Sequence, residues 1–431
     1  MTKLHTQNAP DISVVKPHFL FGAFAFGVAV LLMLLSGTEL FMPYYHNKIL
    51  AIIHTNILGW AMMLVYGSLY QLVPVVFETK LFSETLAKLT FWLTGFSIMI
   101  MAYAFWAGRL ETWLVWGAYL MYSALFLFVF NISMSYRNAT LKNIKTFFII
   151  AAIFWLFLTQ TEGLLMALSF KYPIYTDNLR HLPVHAVMGL TGFFIQMIFG
   201  VGTTLVPMFL VSHKHSEKPL WPAFLLYNAG LAVLVINWWF IGWHWLVYPG
   251  WMMLAAGIGF YLKFVYDAFR NRFKRILDEG MQPTMLMFVL LLVPLLLSFL
   301  LLFRHNYHGK TALSLVALFG FSLIFGVINL IILGQTYKTI PFIIWLERYQ
   351  PYVGKFKIPL PKEVYSARLA VWQYRFYLVF LILFIFAYIV QSSWMLWISL
   401  WILAFVAISY NVNMIKMFFH KPHLEPLDKN K

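Results

Sequence analysis

The sequence predicts an all-α integral membrane protein of twelve transmembrane helices, built as three four-helix repeats about a pseudo-threefold axis. Three observations predict it. Hydrophobic residues make up 62% of the 431-residue chain and charged residues only 11%, whereas roughly a quarter of a soluble domain is charged. Apolar runs of about 20 residues recur along the whole length, each able to cross a ~30 Å hydrocarbon core. One glycine–proline motif returns three times at a nearly constant period.

Apolar runs between charged or Pro/Gly-rich breaks place the helices near 18–37, 50–76, 89–108, 112–135, 146–169, 183–210, 220–241, 244–266, 283–303, 311–337, 376–391 and 394–415. Gly242 divides the seventh from the eighth. The basic, polar segment 338–375 reads as a cytoplasmic surface loop, so residues 1–431 form a single transmembrane domain. The polar start, Met1 to Lys16, lacks the apolar core of a signal peptide.

Charge orients the bundle. Of 31 Lys and Arg, 25 fall on the side that holds both termini and 6 on the other. Cationic loops resist translocation, which places both termini in the cytoplasm, as in a bacterial-type inner (plasma) membrane. The same rule accounts for the net charge of +16 with a lipid bilayer as the partner and no nucleic acid. The chain has no cysteine. That excludes disulfides, thiolate-held iron–sulfur clusters, c-type heme attachment and a thiolate copper centre, and leaves histidine as the strong soft-metal ligand.

The repeat is read from three stretches. "GWAMMLVYGSLYQLVP" carries Gly59, Gly67 and Pro74; "GFFIQMIFGVGTTLVP" carries Gly192, Gly200 and Pro207; "GVINLIILGQTYKTIP" carries Gly326, Gly334 and Pro341. All obey G-x7-G-x6-P, with prolines 133 and then 134 residues apart, and such a period marks structural repeats. The repeat-bearing helices are those near 50–76, 183–210 and 311–337. Glycine lets helices approach closely, and each proline is expected to mark the inner end of its helix.

Seven of the 13 histidines fall at or near the outer side: His46, His54, His181, His185, His244, His305 and His308. His54 lies 20 residues before its repeat proline and His185 lies 22 before its own. At ~1.5 Å per residue the two differ in depth by only about 3 Å. His181 and His185, in "HLPVH", share one helix face, as a single metal or a ligand with its supporting group requires. Glu162, in "LTQTEGLLMA", is a carboxylate in the outer half of a span, which is costly without a role. His54 and His185 are therefore the candidate cofactor ligands, His181, His185 and His244 the candidate metal ligands, and Glu162 the candidate catalytic carboxylate.

With these residues in place, the chain resembles catalytic subunit I of the heme-copper oxidase superfamily, particularly its divergent nitric oxide reductase branch and short subunit-I-like relatives. The likeness covers all twelve spans, the helix-two histidine followed by "GW", and the outer histidine of helix six. It implies that His54 is an axial ligand of a b-type heme and that His185 holds copper or another non-heme metal, or faces His54. The family's His-x-His pair of helix ten is missing, because "TALSLVALFGFSLIFGVINL" has no histidine. The adjacent helix-seven pair is missing too, since "PAFLLYNAGLAVLVINWWF" offers Asn228 and Asn237. His308 lies 33 residues before Pro341, about 20 Å farther out than His54 in helical register.

The resemblance thus implies an incomplete binuclear site, suited to binding a gas (NO or O2) or to electron transfer beside other respiratory or denitrification subunits. Two other classes stay open: a non-catalytic protein handling or transporting heme, copper or a small solute, and a structural subunit of a respiratory complex. Stoichiometric bound heme separates the first reading from both.

Overall fold

The computed structural model describes residues 9–139, 142–303, 309–422 and 424–426. Twelve helices are long and apolar enough to cross a bilayer: α1 Ile12–Phe41, α2 Asn47–Pro74, α3 Glu84–Trp106, α4 Leu110–Arg137, α5 Ile144–Leu168, α6 Asn178–Leu210, α7 Leu220–Ile241, α8 His244–Arg270, α9 Met281–Leu302, α10 Thr311–Tyr352, α11 Ala367–Ile389 and α12 Ser393–Phe418. Outside them, the described residues form one two-residue strand pair, Phe356–Lys357 against Glu425–Pro426.

Several spans begin well before their apolar stretch. Asp11, Ser83, Asn143, Asp177, Ser366 and Ser392 each accept a hydrogen bond from a first-turn amide. These N-caps satisfy donors that the helix itself leaves unpaired, so the helix extends into the polar rim. Hydropathy alone misses that turn.

The segment read as a loop over 338–375 is helical at both ends. Helix continues through Pro341 to Tyr349, tightens into a 3-10 turn to Tyr352 and resumes at Ala367, which leaves 353–366 as the connection. Lys338 is accommodated by its 2.5 Å ion pair with Asp278. Pro74 and Pro207 do lie in the last turn of α2 and α6, but Pro341 is interior to α10.

Consecutive helices pair as α3–α4, α7–α8 and α11–α12, and α1 packs against α12, closing the bundle. Five of the six motif glycines sit at close helix approaches. A Cβ at Gly59 or Gly67 would meet Ala25 or His18 of α1, at 3.0 and 2.9 Å. Gly192 and Gly200 likewise face Trp155 and Ile149 of α5, at 2.9 and 2.8 Å. Gly334 faces the Gly280 carbonyl at 2.7 Å, at the entry of α9. In every repeat the second helix thus packs tightly on the first. Gly326 departs from this, with nothing within 4 Å of its Cβ position.

A feature invisible in the motif recurs with it. Thr55–Met62, Met188–Ile195 and Ser322–Asn329 are π-helical, each beginning 19 residues before its repeat proline. Such wide turns are rare and concentrate at functional sites. The α10 segment touches both others, and Asn56 and Asn329 exchange hydrogen bonds of 3.0 and 3.2 Å across the buried α2–α10 contact.

Candidate functional site

The π segments floor a cavity of about 860 Å³ in the half of the bundle away from the termini. Its size is within the ~300–1,000 Å³ that encloses a cofactor-sized ligand. Ile52, His54 and Ile57 of α2, His185, Val187 and Leu190 of α6, and Phe319 and Phe321 of α10 contribute to its wall. Polar residues that precede or open α2 (Tyr44, Tyr45 and Asn47) and α6 (Thr176, Asp177 and Asn178) also line it, at its mouth. No Lys or Arg lines the cavity among the described residues.

His54 and His185 meet here. Their ring centroids are 6.5 Å apart and their planes are 17° from parallel. Each ring is fixed through Nδ1: His54 donates to the Leu50 carbonyl at 2.8 Å and His185 to the Thr159 carbonyl at 3.0 Å. A carbonyl only accepts, so Nδ1 carries the proton and the neutral ring keeps its lone pair on Nε2. Histidine ligands to metals are commonly held this way. Gly163 admits the His185 ring, since a Cβ there would lie 2.8 Å from Cε1. Phe105 packs beside His54 at 4.7 Å.

Glu162 lies outside this pair but on the same turn of α5. It is 3% exposed, and both its oxygens are occupied. His181 donates from Nδ1 to Oε1 at 2.8 Å and the Tyr175 hydroxyl donates to Oε2 at 3.0 Å. The Tyr175 and His181 rings stack at 3.6 Å and 7°. Burial first, then the Glu162 charge and its hydrogen bond, raise the Tyr175 hydroxyl above its ordinary range, which keeps it a donor. Sequence reasoning missed Tyr175, because nothing in "KYPIYTD" distinguishes it from any interfacial tyrosine.

The expected three-histidine metal set does not assemble. Although His181 and His185 share a face, they engage different points along α5, Glu162 and Thr159. His244 is an exposed residue of a short 3-10 turn at the cavity rim, beside Tyr248. No group of three or more His, Asp or Glu is placed to hold a metal ion among the described residues. His305 and His308 fall outside the described residues.

No protein-family model matches the sequence. A 79-residue stretch, 18% of this chain and 15% of the relative, is 28% identical to a cytochrome c oxidase subunit 1 homolog of Agrobacterium tumefaciens (strain T37). The fold aligns with a chain from the cryo-EM structure of a heme-copper terminal oxidase dimer at a TM-score of 0.61. That alignment covers 96% of this chain and 85% of the other at 10% identity. The fold is subunit-I-like. The chain is divergent, and at 10% identity the likeness is one of architecture.

The residues fit a heme iron better than an independent non-heme metal. Two imidazoles with free Nε2 atoms reach the cavity, but a third ligand is lacking among the described residues.

Proposed function

We propose that this subunit-I-like chain is a heme-binding membrane protein, with b-type heme held in the cavity by His54. His185, fixed through Nδ1 beside it, would be the second residue to hold the group or to border it. The observation that carries this reading is the pair of imidazoles fixed at Nδ1, free at Nε2 and 6.5 Å apart in an 860 Å³ cavity. Bound heme would supply a redox-active iron able to bind a small gas such as NO or O2. The chain's own residues orient the two rings, wall the site with apolar side chains, and hold a buried carboxylate beside it.

Neither cavity phenylalanine of α10 can ligate a metal, and no three-ligand site is built among the described residues. On this reading the binuclear site is an incomplete one, and the proposed activity is gas binding or electron transfer. A respiratory or denitrification subunit supplies the electrons, with the chain in a bacterial plasma membrane and its termini cytoplasmic. A second reading, handling of copper or a small solute, is favoured by a lining without Lys or Arg among the described residues, since heme propionates normally want cations.

The test is the reduced-minus-oxidised visible spectrum and heme-to-protein ratio of purified wild type, His54→Ala and His185→Ala. The reading requires about one heme per chain in wild type and loss of heme from His54→Ala. A heme-free wild type would favour the second reading.

A further inference from the structure

The connection between α5 and α6 borders the cavity mouth. Of residues 171–180, all are exposed except Tyr175 and Asn178. Its other hydrogen bonds to α5 come from the Lys171 and Tyr172 amides to the Leu168 carbonyl at 2.9 and 2.8 Å, the Tyr175 amide to Ser169 Oγ at 3.1 Å, and Asn178 Nδ2 to the Met166 carbonyl at 3.2 Å. The Tyr175 side chain differs. It turns inward and bonds a carboxylate that is 3% exposed, which His181 of the first α6 turns also holds. The next residue, Thr176, already lines the cavity.

We propose that Tyr175, Glu162 and His181 form a latch that fastens this connection as one wall of the cavity entrance, and that its release admits molecules from that side. This goes beyond the heme reading and holds whatever the cavity binds. Three features carry it. A hydrogen bond to a buried charge is among the stronger fastenings a loop can have. Beyond Leu168, to which the start of the connection is bonded, its side chains are exposed apart from Tyr175 and Asn178, so few packed contacts oppose its movement. The Thr159–Gly163 turn of α5 bears both the latch and the seat of His185, so the entrance and the cavity wall share one anchor.

The absence of cysteine allows a direct test. The full chain in nanodiscs carries Ala186→Cys, a cavity-lining position on α6, and is labelled with a charged maleimide. Glu111→Cys, exposed on the same face, reports the reagent's activity, and Ala87→Cys, fully buried in α3, reports the integrity of the bundle. Tyr175→Phe removes only the hydroxyl, and Glu162→Gln removes the charge and one of the two acceptor oxygens. Each is expected to speed labelling of Ala186→Cys roughly 10- to 100-fold, the effect on an opening equilibrium of losing one hydrogen bond to a charged group. Faster labelling at 186 with Ala87→Cys still protected supports the latch. An unchanged rate in Tyr175→Phe overturns it. So does an increase that Ala87→Cys shares, because the whole bundle has then loosened.

Discussion

The first two repeats and the third present the same scaffold with different chemistry. In α2, α6 and α10 a π segment begins 19 residues before the repeat proline, and a motif glycine packs on the preceding helix. By that register, the position of His54 in the first repeat is occupied by Phe321 in the third, and that of His185 in the second by Phe319. Where α2 and α6 offer two anchored imidazoles, α10 offers Phe321 stacked on Phe384 at 4.5 Å and 5°, and on Phe325 at 4.9 Å and 19°. The backbone device is therefore separable from the ligands it presents. Glycine, proline and the wide turn build the wall, and single side chains decide whether that wall is a ligand or a piece of core.

Exchanging the two kinds of wall gives the largest expected effect. His54→Ala should abolish stoichiometric heme binding while leaving helicity by circular dichroism unchanged. Phe321→Ala should keep the heme and cost about 3–5 kcal/mol in stability, the usual penalty for deleting a packed aromatic ring, as read from detergent denaturation. If both variants keep heme equally, the distinction between ligand wall and core wall fails.

A smaller effect separates two glycines of one motif. Gly334→Ala drives a methyl group against the Gly280 carbonyl and Pro283, both 2.7 Å from the Cβ position, and should destabilise by about 1–3 kcal/mol through overpacking. Gly326→Ala meets nothing within 4 Å and should be neutral or slightly stabilising, since alanine is the better helix former. The difference in Tm between the two variants measures this.

The buried amide pair should matter less. Asn56→Ala leaves Asn329 without its reciprocal partner, and interhelical hydrogen bonds in membranes contribute about 0.6 kcal/mol on average and at most ~1.7. A double-mutant cycle with Asn329→Ala should return a coupling in that range. A coupling near zero would mean that the π segments hold α2 against α10 without it.

The smallest effect lies at the terminal face. Burial pushes the Asp278 carboxyl up, but hydrogen bonds and the charges of Lys274 and Lys338 outweigh it and hold the group below its ordinary value. A depressed folded value adds stability above the unfolded carboxylate range near pH 3.9, and that stability is lost as pH falls through the folded value. Asp278→Asn should therefore flatten the acid limb of a stability-against-pH curve below about pH 4 and leave the cavity's ligand binding unchanged.

The sequence by itself determined the number of spans, the repeat and the candidacy of His54, His185 and Glu162. Span number follows from the length of apolar runs, the repeat from a period in glycine and proline, and the candidates from the cost of a polar side chain at membrane depth. All of these are local or periodic properties. Helix ends were less legible, because N-caps such as Ser366 and a salt-bridged Lys338 let helices run past the apolar stretch. Only the tertiary structure decided that His54 and His185 face one cavity. A two-residue offset in register rotates a side chain by about 200°, and whether that points it toward a neighbour or away depends on the π turns and on which helices touch. The same holds for Glu162. Its partners Tyr175 and His181 lie 13 and 19 residues along the chain, in a connection whose path no local pattern specifies. Contacts between segments are set by packing across the bundle, and a sequence read along one dimension carries only the composition that permits them.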